Sequence, residues 1–224
     1  MFQGFSEKTA DFMWGIRLNN NKEWFEEHKD DYKTHLAAPM SALANEVYKS
    51  FCAQTKAGEL TLHVSRIYRD ARRLFGRGPY KDHLWFTIRK PTEWWVDMPA
   101  FWFELAPEGL SYGMGYYHAR PITMEKHRAR IDDDPKRLLK LSKALEERGE
   151  FVLEGEEYKR AKVAKTGALA AWYNKKWFSL IHEEPLSKDI EDPALVSRLA
   201  DGFVFLKPFY DYFASLESDP PPAK

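Results

Sequence analysis

The spacing of apolar residues changes near Gly58 from helical to alternating, and that change constrains the fold more than any other feature. Before it, apolar side chains recur at helical intervals. Met40, Leu43, Ala44, Val47 and Phe51 stand at i, i+3, i+4, i+7 and i+11, behind a proline, Pro39, suited to a first helical turn. After it the period is two. Leu62, Val64, Arg66 and Tyr68 fall on one face of an extended segment, and His63, Ser65 and Ile67 on the other. A chain that writes helices first and alternating strands next, and then returns to helices, predicts α+β architecture rather than alternating βαβ units.

The remaining elements follow the same logic. Ser6 is placed to cap a helix carrying Phe12, Met13 and Ile16, and the Asn19-Asn20-Asn21 run ends it and caps the next, with Trp24, Phe25, His28 and Tyr32. Strands are expected at Leu62 to Tyr68, Leu84 to Arg89, Phe101 to Leu105 and Leu110 to His118, the last two forming a hairpin around Pro107-Glu108-Gly109. Ser111, Gly113 and Gly115 leave one face of the last strand bare, which admits a close neighbour, with a packed helix the first expectation. Helices are expected from Pro121 to Ile131, from Pro135 to Arg148 with Gly149 as its stop, and after Asp192-Pro193. An aromatic segment from Phe203 to Leu216 is broken by Pro208. Phe151 to Leu153 and Trp177 to His182 are short strand candidates. The expected whole is one α+β domain over residues 1–218, an antiparallel meander covered by helices from both ends of the chain, with a disordered tail at 219–224.

Charge adds a map to this plan. The chain is neutral overall, 34 basic residues against 34 acidic, so no global field draws it to nucleic acid or to an anionic membrane. Locally it is uneven. Leu62 to Lys90 holds eight basic residues and two acidic ones, interleaved with Tyr68, Phe75, Tyr80, Trp85 and Phe86. A second stretch, Tyr158 to Lys176, holds six basic residues and no acid, while acids gather at Glu23 to Asp31 and between Glu183 and Asp219. One reading is that the acidic ends neutralise the basic segments within the fold.

The other reading is a site. Arg66, Arg69, Arg72 and Lys81, with Tyr80 as a stacking or hydroxyl donor, form a candidate anion-binding group. Guanidinium forks match carboxylate and phosphate oxygens, and a guanidinium on a sheet face demands such a partner. The partner is either an anionic or phosphorylated small molecule or an internal acid such as Asp70, Glu104 or one from Glu23 to Asp31. Gly76 and Gly78 would let backbone N–H groups join the site, although Gly-x-Gly alone matches no phosphate-loop pattern.

Other chemistry finds less support. His63, His83, His118 and His127 are scattered and no cysteine pair exists, so no metal or cofactor is expected. Asp132-Asp133-Asp134 reads as helix capping. Cys52, among Val47, Tyr48 and Phe51, reads as a buried helical thiol. Ser65 has no base beside it, which leaves His63 and His83 as proton-transfer candidates. Trp94-Trp95 is either a packed loop or an exposed protein-contact patch. Single-stranded nucleic acid, suggested by the aromatic and basic mixture, stands as a third class of function, opposed by the neutral charge and the lack of a motif. No basic, apolar leader and no run of ~20 apolar residues is present, so a cytoplasmic, membrane-free protein is expected. Oligomeric state has no signature in the sequence.

The run Ser65-Arg66-Ile67-Tyr68-Arg69-Asp70-Ala71-Arg72, then Pro79-Tyr80-Lys81, resembles the signature of a bacterial family of uncharacterised proteins, domain-of-unknown-function family 2461. Asn19-Asn20-Asn21-Lys22-Glu23-Trp24-Phe25, with Tyr32 and Pro39 behind it, is similar to that family's amino-terminal pattern. The sequence departs from the pattern at Arg73-Leu74-Phe75. The resemblance implies a fold and an extent, and no activity, cofactor or catalytic residue.

Overall fold

A computed structural model describes residues 1–74, 76–163 and 167–222. Six strands form one antiparallel sheet in the order β1-β2-β3-β4-β6-β5. They are β1 (Thr61–Val64), β2 (Leu84–Arg89), β3 (Pro99–Ala106), β4 (Gly109–Tyr116), β5 (Val152–Glu154) and β6 (Ser179–Pro185). With the helices before, between and after the strands, the fold is α+β as the sequence predicts. The chain divides into two compact units, neither continuous in sequence: residues 1–88, 102–112 and 183–204, and residues 89–101, 113–182 and 205–224. Phe75, Lys165 in the second basic stretch, and Ala223 and Lys224 of the tail lie outside the described residues.

In the first unit, the Glu7–Leu18 helix starts at Ser6 with a reciprocal capping box to Thr9. Asn21 caps the Lys22–Glu27 helix, its side chain accepting from the Trp24 N–H at 2.9 Å. The next segment departs from a regular helix. Tyr32–Ala37 is a π-helical stretch, in which the Ala38 N–H reaches back five residues to the Lys33 carbonyl, and it runs directly into the Ala38–Thr55 helix. Pro39 supplies the reason. It has no N–H to offer the His35 carbonyl four residues earlier, and that carbonyl is served instead by the buried Thr9 hydroxyl at 2.6 Å. Met40, Leu43, Ala44, Val47 and Phe51 are all buried, as their spacing requires. Phe203 is their counterpart, its ring lying within 6.3 to 6.4 Å of Phe51, Phe86 and Tyr112. Cys52 is half-buried rather than buried, and burial pushes its thiol up, as befits a packed, unreactive group.

The second unit packs around Phe178 and Phe213, with ring centroids 4.1 Å apart, and Trp172, His127 and Tyr116 close the cluster. Here Gly113 and Gly115 reveal what their bareness is for. A Cβ on Gly113 would sit 2.0 Å from the Leu180 carbonyl oxygen, and one on Gly115 2.6 Å from that of Phe178. The close neighbour is the backbone of the adjoining strand, not the packed helix that the sequence suggested.

Two boundaries differ for physical reasons. β1 stops at Val64 instead of reaching Tyr68, because the Ser65 hydroxyl takes the Trp85 N–H at 3.0 Å and the chain leaves the ladder, returning only as an isolated Tyr68–Tyr80 bridge. The last helix, Leu195–Ala214, runs through Pro208 where the sequence predicted an interruption. Phe203, Leu206, Phe209, Tyr210, Tyr212 and Phe213 are all buried along it, and that burial outweighs the lost backbone bond.

Candidate anion-binding surface

The Tyr68–Tyr80 bridge organises the basic segment. Arg69 N–H donates to the Pro79 carbonyl at 2.8 Å and Lys81 N–H to that of Ile67 at 2.7 Å. Asn20 locks the second strand from outside: its amide oxygen accepts from the Tyr80 N–H at 3.0 Å and its amide nitrogen donates to the Tyr80 carbonyl at 2.9 Å. This contact explains Gly78, where a Cβ would lie 2.1 Å from the Asn20 amide oxygen. Gly76 takes a positive φ of 78° in the turn. Both glycines thus serve the turn and Asn20, and the expectation that they free backbone N–H groups for a ligand is replaced by these roles.

Alternation then separates the five candidate residues. Tyr80 points to the core, only 4% exposed, its ring stacked on Phe25 at 4.2 Å, so it is a packing residue and not a ligand donor. Arg72 is exposed but folds back onto Asp70 through two contacts, at 3.0 and 2.8 Å. These two leave the group. Arg69 is largely covered: its Nε donates to the Tyr80 carbonyl at 2.7 Å and its terminal nitrogen lies 3.7 Å from Asp82. Lys81 is half-buried with its ammonium 5.4 Å from the centre of the Trp85 ring. Burial first, then the charges of Arg69 and Arg66, push that ammonium below its usual range, against a smaller opposite pull from Glu104. Arg66 is exposed, and its guanidinium has no hydrogen bond or ion pair among the described residues. Arg66, Arg69 and Lys81 are therefore the part of the predicted group that the fold brings together.

The acid beside them was not picked out as a site residue. Asp82 receives Arg17 Nε at 2.5 Å and His83 Nδ1 at 2.8 Å, and Arg17 also makes a two-pronged pair with Glu108. Burial works to raise the Asp82 carboxyl, but the hydrogen bonds from Arg17 and His83 prevail and hold it below the usual carboxylate range. Its neighbour in sequence to Lys81 was visible; its pairing with Arg17, on a helix more than sixty residues earlier, was not. His83, one of the two proton-transfer candidates, is committed to this carboxylate, and His63 lies against Trp85 with ring centroids 5.5 Å apart.

Elsewhere, Trp94 is 71% exposed on the rim of a concavity of about 510 Å³ lined by Lys90, Thr92, Asp97, Met98, Arg120 and Glu217, while Trp95 carries the Arg89 guanidinium 3.7 Å from its ring centre. Among the described residues no group of three or more His, Cys, Asp or Glu is arranged to hold a metal ion, and no helix is long and apolar enough to cross a membrane.

No curated protein matches the chain. A family described as "Conserved hypothetical protein (DUF2461)" matches residues 8–212. The two parts of the resemblance meet in the structure, since Asn20 and Phe25 of the amino-terminal run hold Tyr80 of the second signature. With that match extending over nearly the whole sequence, the chain belongs to the DUF2461 family.

Proposed function

We propose that the surface at Arg66, Arg69 and Lys81 binds an anionic small molecule, with a phosphate or carboxylate received by Arg66 and Lys81. The observation that carries this reading is the Arg66 guanidinium, without a partner among the described residues, beside an ammonium already disfavoured by burial and by two like charges. Asp82, the carboxylate beside Arg69, is spent on Arg17 and His83, and Glu104 exerts only the smaller opposite pull on Lys81. An incoming anion restores the balance, and Asp82 keeps Arg69 in position without neutralising the whole cluster.

A thermal-shift screen over phosphates, nucleotides and dicarboxylates tests it. A ligand at one hundred times its Kd stabilises the native state by ~2.7 kcal/mol. For a chain of this size that corresponds to a rise of roughly 5 to 10 °C. The rise should shrink in high salt, vanish in Arg66→Ala and weaken in Arg66→Lys, which keeps the charge and loses the fork. An unchanged response in Arg66→Ala, or no response to any of these anions, overturns the reading. The exposure of Trp94 favours protein contact as the second reading, and that outcome would move attention there.

A further inference from the structure

The second basic stretch folds into something more specific than a charged loop. Its first residues are fastened to the strand-like segment that closes it. Tyr158 N–H donates to the Asn174 carbonyl at 3.1 Å, Lys176 N–H to that of Glu156 at 2.7 Å, and Lys162 N–H to the Asn174 side chain at 3.0 Å. An isolated Glu157–Lys175 bridge completes the clasp. The backbone from Glu156 to Lys162 is thus held in one shape before any ligand arrives.

Tyr158 stands at the centre of that shape. Lys162 Nζ lies 5.2 Å from its ring centre, Lys176 Nζ 5.9 Å, and the Arg128 guanidinium, from the Pro121–Asp133 helix, 5.2 Å. Lys159 and Arg160 join Lys162 and Lys176 around an open concavity of about 470 Å³. Four cations therefore line one open volume. The acids within reach are already engaged, Glu156 with Lys176 and Glu157 with Lys175 and Asn174. Among the described residues Lys159, Arg160 and Lys162 have no carboxylate partner, and one terminal nitrogen of Arg128 is buried with no hydrogen-bond partner at all. A desolvated guanidinium N–H without an acceptor is costly, and Arg128 adds its charge beside the Tyr158 ring.

We infer that this concavity is a second anion site, separate from the one at Arg66, and that it takes a polyphosphate group. A single carboxylate or phosphate engages two or three donors, whereas cations set on several sides of a pre-shaped volume match a chain of linked phosphates. Arg128, Lys162 and Lys176 all lie against the Tyr158 ring, which concentrates positive charge there. The contacts are exposed and so fall within reach of screening, with a Debye length of about 8 Å at physiological salt.

Inorganic tripolyphosphate titrated into the full chain by isothermal calorimetry provides the test. This site should take one equivalent, retained in Arg66→Ala, at least tenfold more tightly than orthophosphate, with affinity falling as salt rises. The double variant Lys159→Ala/Lys162→Ala, both side chains at the surface, should lose at least tenfold in affinity while its melting temperature without ligand stays at that of the parent. Arg66→Ala should bind tripolyphosphate like the parent, which separates this site from the one proposed above. No heat of binding, equal affinity in the double variant, or loss confined to Arg66→Ala overturns the inference. Preference for a single-stranded oligonucleotide over tripolyphosphate at Lys159 and Lys162 overturns it in favour of nucleic acid.

Discussion

His127 offers a direct test of how the second unit is packed. Its imidazole is fully buried among Phe178, Tyr212 and Phe213, with ring centroids 6.3, 6.2 and 5.3 Å away, and the Trp172 backbone is the polar group beside it, too poorly placed to make a well-formed hydrogen bond. Burial pushes it down from the ordinary 6.5 to about 3. The sign follows from proton counting. Below pH 6.5 the unfolded chain binds a proton that the folded chain refuses, so stability is complete above that pH and drains away as pH falls toward 3. At pH 5 the unfolded imidazole is favoured by one and a half decades of protonation, which at ~1.36 kcal/mol per decade costs the fold about 2 kcal/mol relative to neutral pH. His127→Leu removes the titrating group and leaves an apolar side chain in an apolar pocket. Urea unfolding at pH 7 and pH 5 on both proteins isolates the effect, because every other titrating group is shared. The parent should lose about 2 kcal/mol more between the two pH values than the variant. Equal losses would mean that His127 takes up its proton in the folded state, and the account of a dry, buried imidazole would be wrong.

Two further substitutions probe backbone chemistry. Thr9→Val removes the hydroxyl that serves the His35 carbonyl and leaves that acceptor unsatisfied; chemical denaturation should register a loss of ~1 to 3 kcal/mol, with Thr9→Ser close to the parent. Gly113→Ala places a methyl 2.0 Å from the Leu180 carbonyl oxygen, so β4 and β6 have to separate locally; amide exchange should speed up along both strands and the melting temperature should fall, and an unchanged exchange pattern would refute the close approach.

The elements of this protein were legible because they are local. A helix stripe such as Met40 to Phe51 and the alternation of Phe101, Phe103 and Leu105 are properties of residues a few positions apart, and caps such as Asn21 act within one turn. Membership in a family was legible for the same reason, since its signature is a contiguous string. Tyr80 misled the reading of the site because two demands share its signature: an aromatic beside basic residues suits a ligand, and it equally suits a ring stacked on Phe25. Alternation along the strand could have separated Tyr80 from Lys81, but only with knowledge of which face the Lys22–Glu27 helix covers. What tertiary structure alone decided is the pairing of charges. Asp82 meets Arg17, Arg72 turns to Asp70, Arg66 is left without a partner among the described residues, and Arg128 comes up beside a loop thirty residues further on. Composition counts charges, but their energies depend on separations of a few ångströms and on exclusion of water, and those are set by which distant segments the fold brings together.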